Sequence, residues 1–277
     1  MPLTPPPTRE RETLEHVVST DGTQIAVWRS GDGPPLVLVH GATADHSRWA
    51  PVLPALQERF SVLAIDRRGR GRSGDAPGYM IEREFEDVAA VVASAGEHVD
   101  VLGHSYGAVC ALEAARLTDR IARLVLYEAP VGFLQTPSHV VDRLRALLDA
   151  GERDELLALF MREVAGLPSE QVELLRSLPA WQARLTAAQT IPREELANRQ
   201  YVFDPDRFRT LHVPTLLLQG GDSPDAFRAA SRALQAALPD SRIAVMTGQR
   251  HAAMDTGTDL FLAETLTFLD TPTERLT

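Results

Sequence analysis

The sequence predicts an α/β protein with a mostly parallel, eight-stranded sheet flanked by helices and interrupted by a helical insertion. Three observations carry this expectation. Two alternating segments around Asp21-Gly22 read as an antiparallel hairpin. Six short, continuous apolar runs follow, separated mostly by amphipathic stretches of helical length. One interval, from Val131 to about Leu211, contains no strand-like run. Strands buried on both faces read as unbroken apolar runs, which suits parallel pairing, and β-α repeats put helices over such a sheet.

Taken in order, the hairpin is Leu14–Ser19 and Gln24–Arg29, where apolar and polar residues alternate. The buried runs are Leu36–Val39, Val62–Ile65, Val99–Leu102, Leu124–Tyr127, Thr215–Leu218 and Ile243–Met246. Helical spacing marks Arg48–Glu58, Glu82–Ala95, Ala108–Thr118, Asp225–Leu238 and Asp259–Leu269. Within the insertion the same spacing appears in Arg143–Leu148, Glu155–Val164, Val172–Leu178 and Arg193–Arg199. Pro137, Gly151, Pro168, Pro179 and Pro192 punctuate these segments. The expected organisation is a Pro-rich, poorly ordered tail over 1–12, a core made of 13–130 and 212–277, and a helical unit over 131–211.

Composition narrows the function. At 277 residues and 44% apolar content the chain can bury one large core. A net charge of −10 and a pI near 5.3 count against a nucleic-acid surface, and the interspersed charges read as a solvated face. Cys110 is the only cysteine, so no intrachain disulfide can form and a small buried thiol is expected. The stretch MPLTPPPTRE lacks the basic and apolar regions of a secretory signal. No apolar run approaches the roughly 18 residues that span a bilayer. The expectation is a cytoplasmic protein whose partner is a small-molecule substrate, with neither nucleic acid nor membrane involved.

The chemistry centres on Gly103-His104-Ser105-Tyr106-Gly107, placed between an apolar run and a helix-favouring one. A G-x-S-x-G in that position reads as a nucleophile elbow, a sharp turn that lifts the serine hydroxyl above the sheet. Glycine flanks it because side chains there would strike the neighbouring strand or helix. A serine nucleophile needs a base, and His251 lies in a loop after the last apolar run and before the final helix. His40 and His104 adjoin the motifs but are fixed by the sheet. Two backbone N–H groups are expected to hold an oxyanion: Tyr106, just after the nucleophile at a helix N-terminus, and Ala42, in His40-Gly41-Ala42-Thr43.

These residues resemble the α/β-hydrolase family over about Thr13 to Leu269. The resemblance is carried by Val39-His40-Gly41, Asp66-Arg67-Arg68-Gly69-Arg70-Gly71-Arg72-Ser73, Gly103-His104-Ser105-Tyr106-Gly107 and His251. It implies that the arginine-rich segment is a turn supporting the sheet, and that the insertion is a helical cap roofing the pocket. It also implies a triad acid, and here the chain departs from the commonest pattern. Many relatives place an aspartate three residues after the glycine that ends the penultimate strand. In Leu218-Gln219-Gly220 that third position is Ser223, with Asp222 one residue early and Asp225 beyond Pro224. Some family members, certain haloalkane dehalogenases among them, carry the acid after the strand that follows the nucleophile helix, where this chain has Glu128. Glu128 is the first candidate and Asp222 the alternative, with Asp225 third.

Serine rather than aspartate at the elbow suits acyl transfer. The expected reaction is hydrolysis of a small-to-medium carboxylic ester or lactone through an acyl-enzyme, with no metal and no organic cofactor. Thioester or carbon–carbon bond cleavage, a small-ligand receptor and a lyase or cyclase remain as alternatives on the same residues. Phe133, Leu134, Phe160, Met161, Trp181, Tyr201 and Phe203 from the insertion, with Trp49 and Tyr106 from the core, are candidates for an apolar pocket wall or for plain packing.

Overall fold

Short runs of β-branched and leucine residues build the sheet, and the amphipathic segments between them build its two covering layers. The computed structural model describes residues 12–132 and 136–271. Phe133, Leu134 and residues 1–11 of the expected tail therefore lie outside the described residues. The first strands are β1 (Thr13–Val18), β2 (Gln24–Ser30) and β3 (Pro35–Val39). They are followed by α1 (Leu53–Gln57), β4 (Ser61–Ile65), α2 (Ile81–Ala95), β5 (Val99–His104), α3 (Tyr106–Ala114) and β6 (Ile121–Tyr127). The segment expected to be one helix, Arg48–Glu58, is broken. It forms a 3-10 turn over His46–Trp49 and the short α1, with Pro54 in the first turn of α1.

After β6 come α4 (Ser138–Asp149), α5 (Arg153–Glu163), α6 (Ser169–Arg176), α7 (Pro179–Ala187) and α8 (Ile191–Gln200). The core resumes with β7 (Thr215–Gly220), α9 (Asp225–Ala237), β8 (Ser241–Met246), α10 (Ala253–Thr256) and α11 (Thr258–Leu269). Helix α7 has no counterpart among the segments expected from spacing. Pro179 and Pro192, read as breaks, sit in the first turns of α7 and α8, where a missing N–H costs nothing.

The strand order is β1-β2-β4-β3-β5-β6-β7-β8. β2 runs antiparallel to both β1 and β4, and every other pair is parallel. Alternate residues of the same strands feed two cores. One face of the sheet packs Val37, Val39, Val101 and Leu126 against α2, α3 and α9; the other packs Leu36, Leu38, Leu102 and Tyr127 against α1 and α11. The helices between β6 and β7 hold a third cluster built on Leu144, Leu157, Phe160, Trp181 and Ile191. Burying each such side chain contributes about 1.5–3 kcal/mol. No described helix is long and apolar enough to cross a membrane.

Candidate active site

The parallel strands end together, so the turns after β3, β5, β6 and β7 and the loop after β8 gather at one edge of the sheet. Ser105 caps α3 with φ 55° and ψ −125°, a strained conformation for a non-glycine residue. The flanking glycines make that turn possible. A Cβ on Gly103 would lie 2.6 Å from Ala108 Cα, and one on Gly107 would overlap the carbonyl oxygens of Val39 and His40. Gly41 approaches from the neighbouring strand, where a Cβ would meet Ser105 Cβ at 3.0 Å. Ser105 is partly exposed, whereas its neighbours along the chain are buried.

The structure brings His251 and Glu128 together. His251 Nδ1 lies 2.6 Å from Glu128 Oε2, and the other carboxylate oxygen, Oε1, accepts the Gly220 N–H at 2.8 Å. The Glu128 side chain is fully buried, while the His251 ring is about a third exposed. With the carboxylate accepting from Nδ1–H, the imidazole keeps its lone pair on Nε2, the arrangement a general base needs. Three further contacts hold the ring. Its backbone carbonyl pairs with His104 Nε2 at 2.9 Å, the His104 ring lies 4.6 Å from it, and Phe227 stacks on it at 4.7 Å and 27°. Tyr127 fixes the loop by donating to the Arg250 carbonyl and accepting the Ala253 N–H at 3.0 Å.

Asp222 is exposed and, among the described residues, joins the loop through its backbone. Its N–H donates to the Gln249 carbonyl and its own carbonyl accepts from Arg250 Nε, both at 2.9 Å. Asp225 pairs with Arg228. Neither carboxylate is brought to His251 by a hydrogen bond between described residues. Sequence reasoning missed the Gly220 N–H and the rings of His104, Tyr127 and Phe227, whose roles arise from contacts across the sheet edge.

Tyr106 opens α3, so its N–H has no intrahelical acceptor by position. Ala42 is partly buried just beyond β3, and the turn that carries it is fixed by His40. His40 Nδ1 bonds the Gly41 carbonyl at 2.8 Å and Nε2 accepts the Arg67 N–H at 3.1 Å. Complete burial, then the charges of Arg67 and Arg70, push the His40 pKa down to about 3, so it is a neutral strut. The Tyr106 side chain points away from any pocket role. It is 2% exposed, bonds Tyr79 through the two hydroxyls at 2.8 Å, and lies beneath the Arg67 guanidinium.

Three of the four arginines in the segment after β4 are buried and paired. Arg67 grips Glu84 at 2.6 and 2.9 Å and also meets Glu194 of α8, which Arg70 pairs with as well. Arg68 forks onto Asp87 at 2.7 Å. Of the other pocket candidates, Trp49 is buried in the core, Phe160, Met161 and Trp181 in the helical cluster, and Tyr201 bonds Glu113 at 2.8 Å. Phe203 stacks on Phe208. A cavity of about 520 Å³ lies elsewhere, lined by Trp28, His46, Arg70, Asp75 and Gln189 and not by Ser105 or His251.

One cluster has the composition of a metal site: Asp45, His46 and Asp66, with ligand atoms within 4.8 Å of one another. Its chemistry is that of a hydrogen-bond hub. Asp66 accepts from the His46 N–H, His46 Nδ1, Trp28 Nε1 and the Arg72 N–H at 2.7–3.0 Å. Burial opposes its charge, yet these bonds hold its pKa down at about 2.

A family model described as the alpha/beta hydrolase family matches residues 36–264. The crystal structure of an alpha/beta hydrolase from Sphaerobacter thermophilus DSM 20745 is 36% identical, with a TM-score of 0.79, covering 89% of this chain and all of that one. The esterase RhEst1 from Rhodococcus sp. ECU1013 is 28% identical with a TM-score of 0.72, covering 93% of this chain and 98% of that one. A protein named probable oxidoreductase EphD from Mycobacterium tuberculosis (strain ATCC 25618 / H37Rv) is 38% identical over 135 residues, 45% of this chain. The match spans only 22% of that much longer relative.

Proposed function

Because the chain belongs to the alpha/beta hydrolase family, we propose that it is a serine hydrolase cleaving a small-to-medium carboxylic ester or lactone through an acyl-enzyme at Ser105. The observation that carries this reading is the 2.6 Å contact between His251 and the buried Glu128, on a loop tied to the residue preceding the strained Ser105. His251 Nε2 takes the Ser105 proton as Oγ attacks the substrate carbonyl. The tetrahedral oxyanion is held by the N–H groups of Ala42 and Tyr106, aided by the α3 dipole. Collapse expels the alcohol, which receives the proton back from His251. A water activated by the same imidazole then hydrolyses the acyl-enzyme, while Glu128 orients the ring and stabilises its charged form.

No step needs a metal or organic cofactor. The helices between β6 and β7 serve as the cap, since their cluster packs against Ala42 beside the nucleophile. The likeness to RhEst1, an esterase, favours an ester over other acyl substrates. The test is a fluorophosphonate probe with 4-nitrophenyl acetate and butyrate. Labelling of Ser105, lost in Ser105→Ala, together with ester turnover supports the proposal. Labelling without turnover across a broad ester panel overturns the hydrolase reading in favour of a ligand-binding role.

A further inference from the structure

Arg184, on α7, reaches down from the helical unit to the turn after β3. Its Nη1 donates to Thr43 Oγ1 at 3.0 Å. Thr43 follows Ala42, is 2% exposed, and holds φ 56°, a left-handed conformation that a β-branched residue rarely adopts. Gly41, two residues back, lies so close to Ser105 that a Cβ on it would meet Ser105 Cβ at 3.0 Å. The guanidinium therefore reaches the turn that carries Ala42, one residue from the proposed oxyanion donor.

Its charge is unanswered. Among the described residues Arg184 forms no ion pair with a carboxylate, and its hydrogen-bond acceptor is the neutral Thr43 hydroxyl. Asp255 is the nearby acid, but Arg48 takes both of its oxygens, at 3.0 and 2.8 Å. The cluster of Arg48, Arg184 and Asp255 thus carries one excess positive charge. Burial, followed by repulsion from Arg48, lowers the Arg184 pKa, with Asp255 opposing only in part. The other arginines with resolved shifts, Arg67, Arg68 and Arg176, are all raised through their acidic partners despite burial. Arg184 also adds to the burial, the His251 charge and the Arg48 charge that keep His104, beside Ser105, far below its ordinary pKa. A partly buried guanidinium with most of its five donors uncommitted among the described residues matches a carboxylate, which it can grip through two parallel hydrogen bonds.

We propose that Arg184 is the carboxylate-recognition residue of this site, so that the substrate class is an acyl compound bearing a free carboxylate a few bonds from the scissile carbonyl. The inference rests on the acyl-transfer reading of Ser105, but its test separates the two. In the kinetic arm, the mono-4-nitrophenyl esters of glutaric and adipic acid are compared with 4-nitrophenyl pentanoate and hexanoate, after subtracting spontaneous hydrolysis. The wild-type kcat/KM ratio of anionic to neutral ester exceeds one, and Arg184→Gln lowers that ratio by about 10- to 100-fold, the value of a charge-assisted pair. A purely structural Arg184 lowers both esters together and leaves the ratio unchanged, which overturns the proposal.

In the binding arm, glutarate and its neutral diamide are titrated calorimetrically into Ser105→Ala with and without Arg184→Gln. Preference for glutarate in the single variant, weakened about tenfold or more in the double variant, supports the assignment whether or not Ser105 reacts. Equal binding of diacid and diamide overturns it. Arg184-dependent glutarate binding without Ser105 labelling overturns the acyl-enzyme reading alone.

Discussion

Replacing Glu128 by glutamine tests the proposed triad at the point where the geometry is most demanding. Glu128 Oε1 accepts the Gly220 N–H at 2.8 Å, while Oε2 faces His251 Nδ1 at 2.6 Å. A glutamine in the same buried slot must keep its carbonyl oxygen on the Gly220 N–H, since its NH2 group would meet that donor head-on. The NH2 then faces His251 and donates to Nδ1. His251 is forced into the tautomer that carries its proton on Nε2, and a protonated Nε2 cannot accept from Ser105. In serine triads where an amide replaces the acid and the geometry is kept, kcat falls roughly 10,000-fold. That loss corresponds to about 5 kcal/mol of transition-state stabilisation. Turnover of 4-nitrophenyl acetate gives the rate, and thermal unfolding checks that the Gly220 bond has preserved the fold, with Tm within about 4 °C of wild type. Asp222→Asn, altering an exposed side chain whose bonds to the loop are backbone ones, costs less than about threefold. A loss below tenfold in Glu128→Gln, with a hundredfold loss in Asp222→Asn, would refute the argument.

Two other outcomes follow from packing and burial. Gly107→Ala places a methyl group against the Val39 and His40 carbonyls, neither of which can rotate away, and destabilises the protein by about 3 kcal/mol or more. An unfolding free energy from urea titration within about 1 kcal/mol of wild type contradicts that steric reading. Glu195, on α8, accepts from Thr136 at 2.5 Å, and burial, with the charge of Glu194 adding to it, pushes its pKa from 4.5 up to about 7. The native state therefore holds a proton that the unfolded chain has released between those values, so this group's contribution to stability falls as pH rises through that window. The loss is about 3 kcal/mol at most. Urea titrations from pH 4.5 to 7.5 check it: Glu195→Gln removes this slope, and a wild-type-minus-variant difference that stays flat with pH rules it out.

Local signals were legible wherever chemistry forces the residue type. The elbow could be read because Gly103 and Gly107 leave no space for a side chain. The parallel strands could be read because burial on both faces demands unbroken apolar runs. Helix α7 was hidden because Pro179 resembles a terminator, and in sequence the same proline at a first turn looks no different. Arg48–Glu58 failed as one helix because Trp49 is drawn into the core beneath the sheet, ending a 3-10 turn before α1 begins. Arg184 had no signal at all. Its significance lies in what it lacks among the described residues, a carboxylate partner, and that is visible only once α7 and the Thr43 turn are set against each other.

The proposed acid illustrates how two strand ends can share one task. In the commonest family pattern the residues after β7 would supply the carboxylate, and here that turn supplies donors and supports. The Glu128 N–H donates to the Leu218 carbonyl at 3.1 Å, and the Gly220 N–H returns to the Glu128 side chain. Glu128 is thereby clamped to β7 at both its backbone and its carboxylate, which sustains the φ of 47° it adopts at the tip of β6. Asp222, two residues past Gly220, ties the same turn to Gln249 and Arg250, the residues immediately before His251. With the proposed acid at the tip of β6, the β7 turn still serves as the frame that fixes both Glu128 and the histidine loop. With Glu128 as the proposed acid, Asp222 engages the loop before His251 through its backbone N–H and carbonyl.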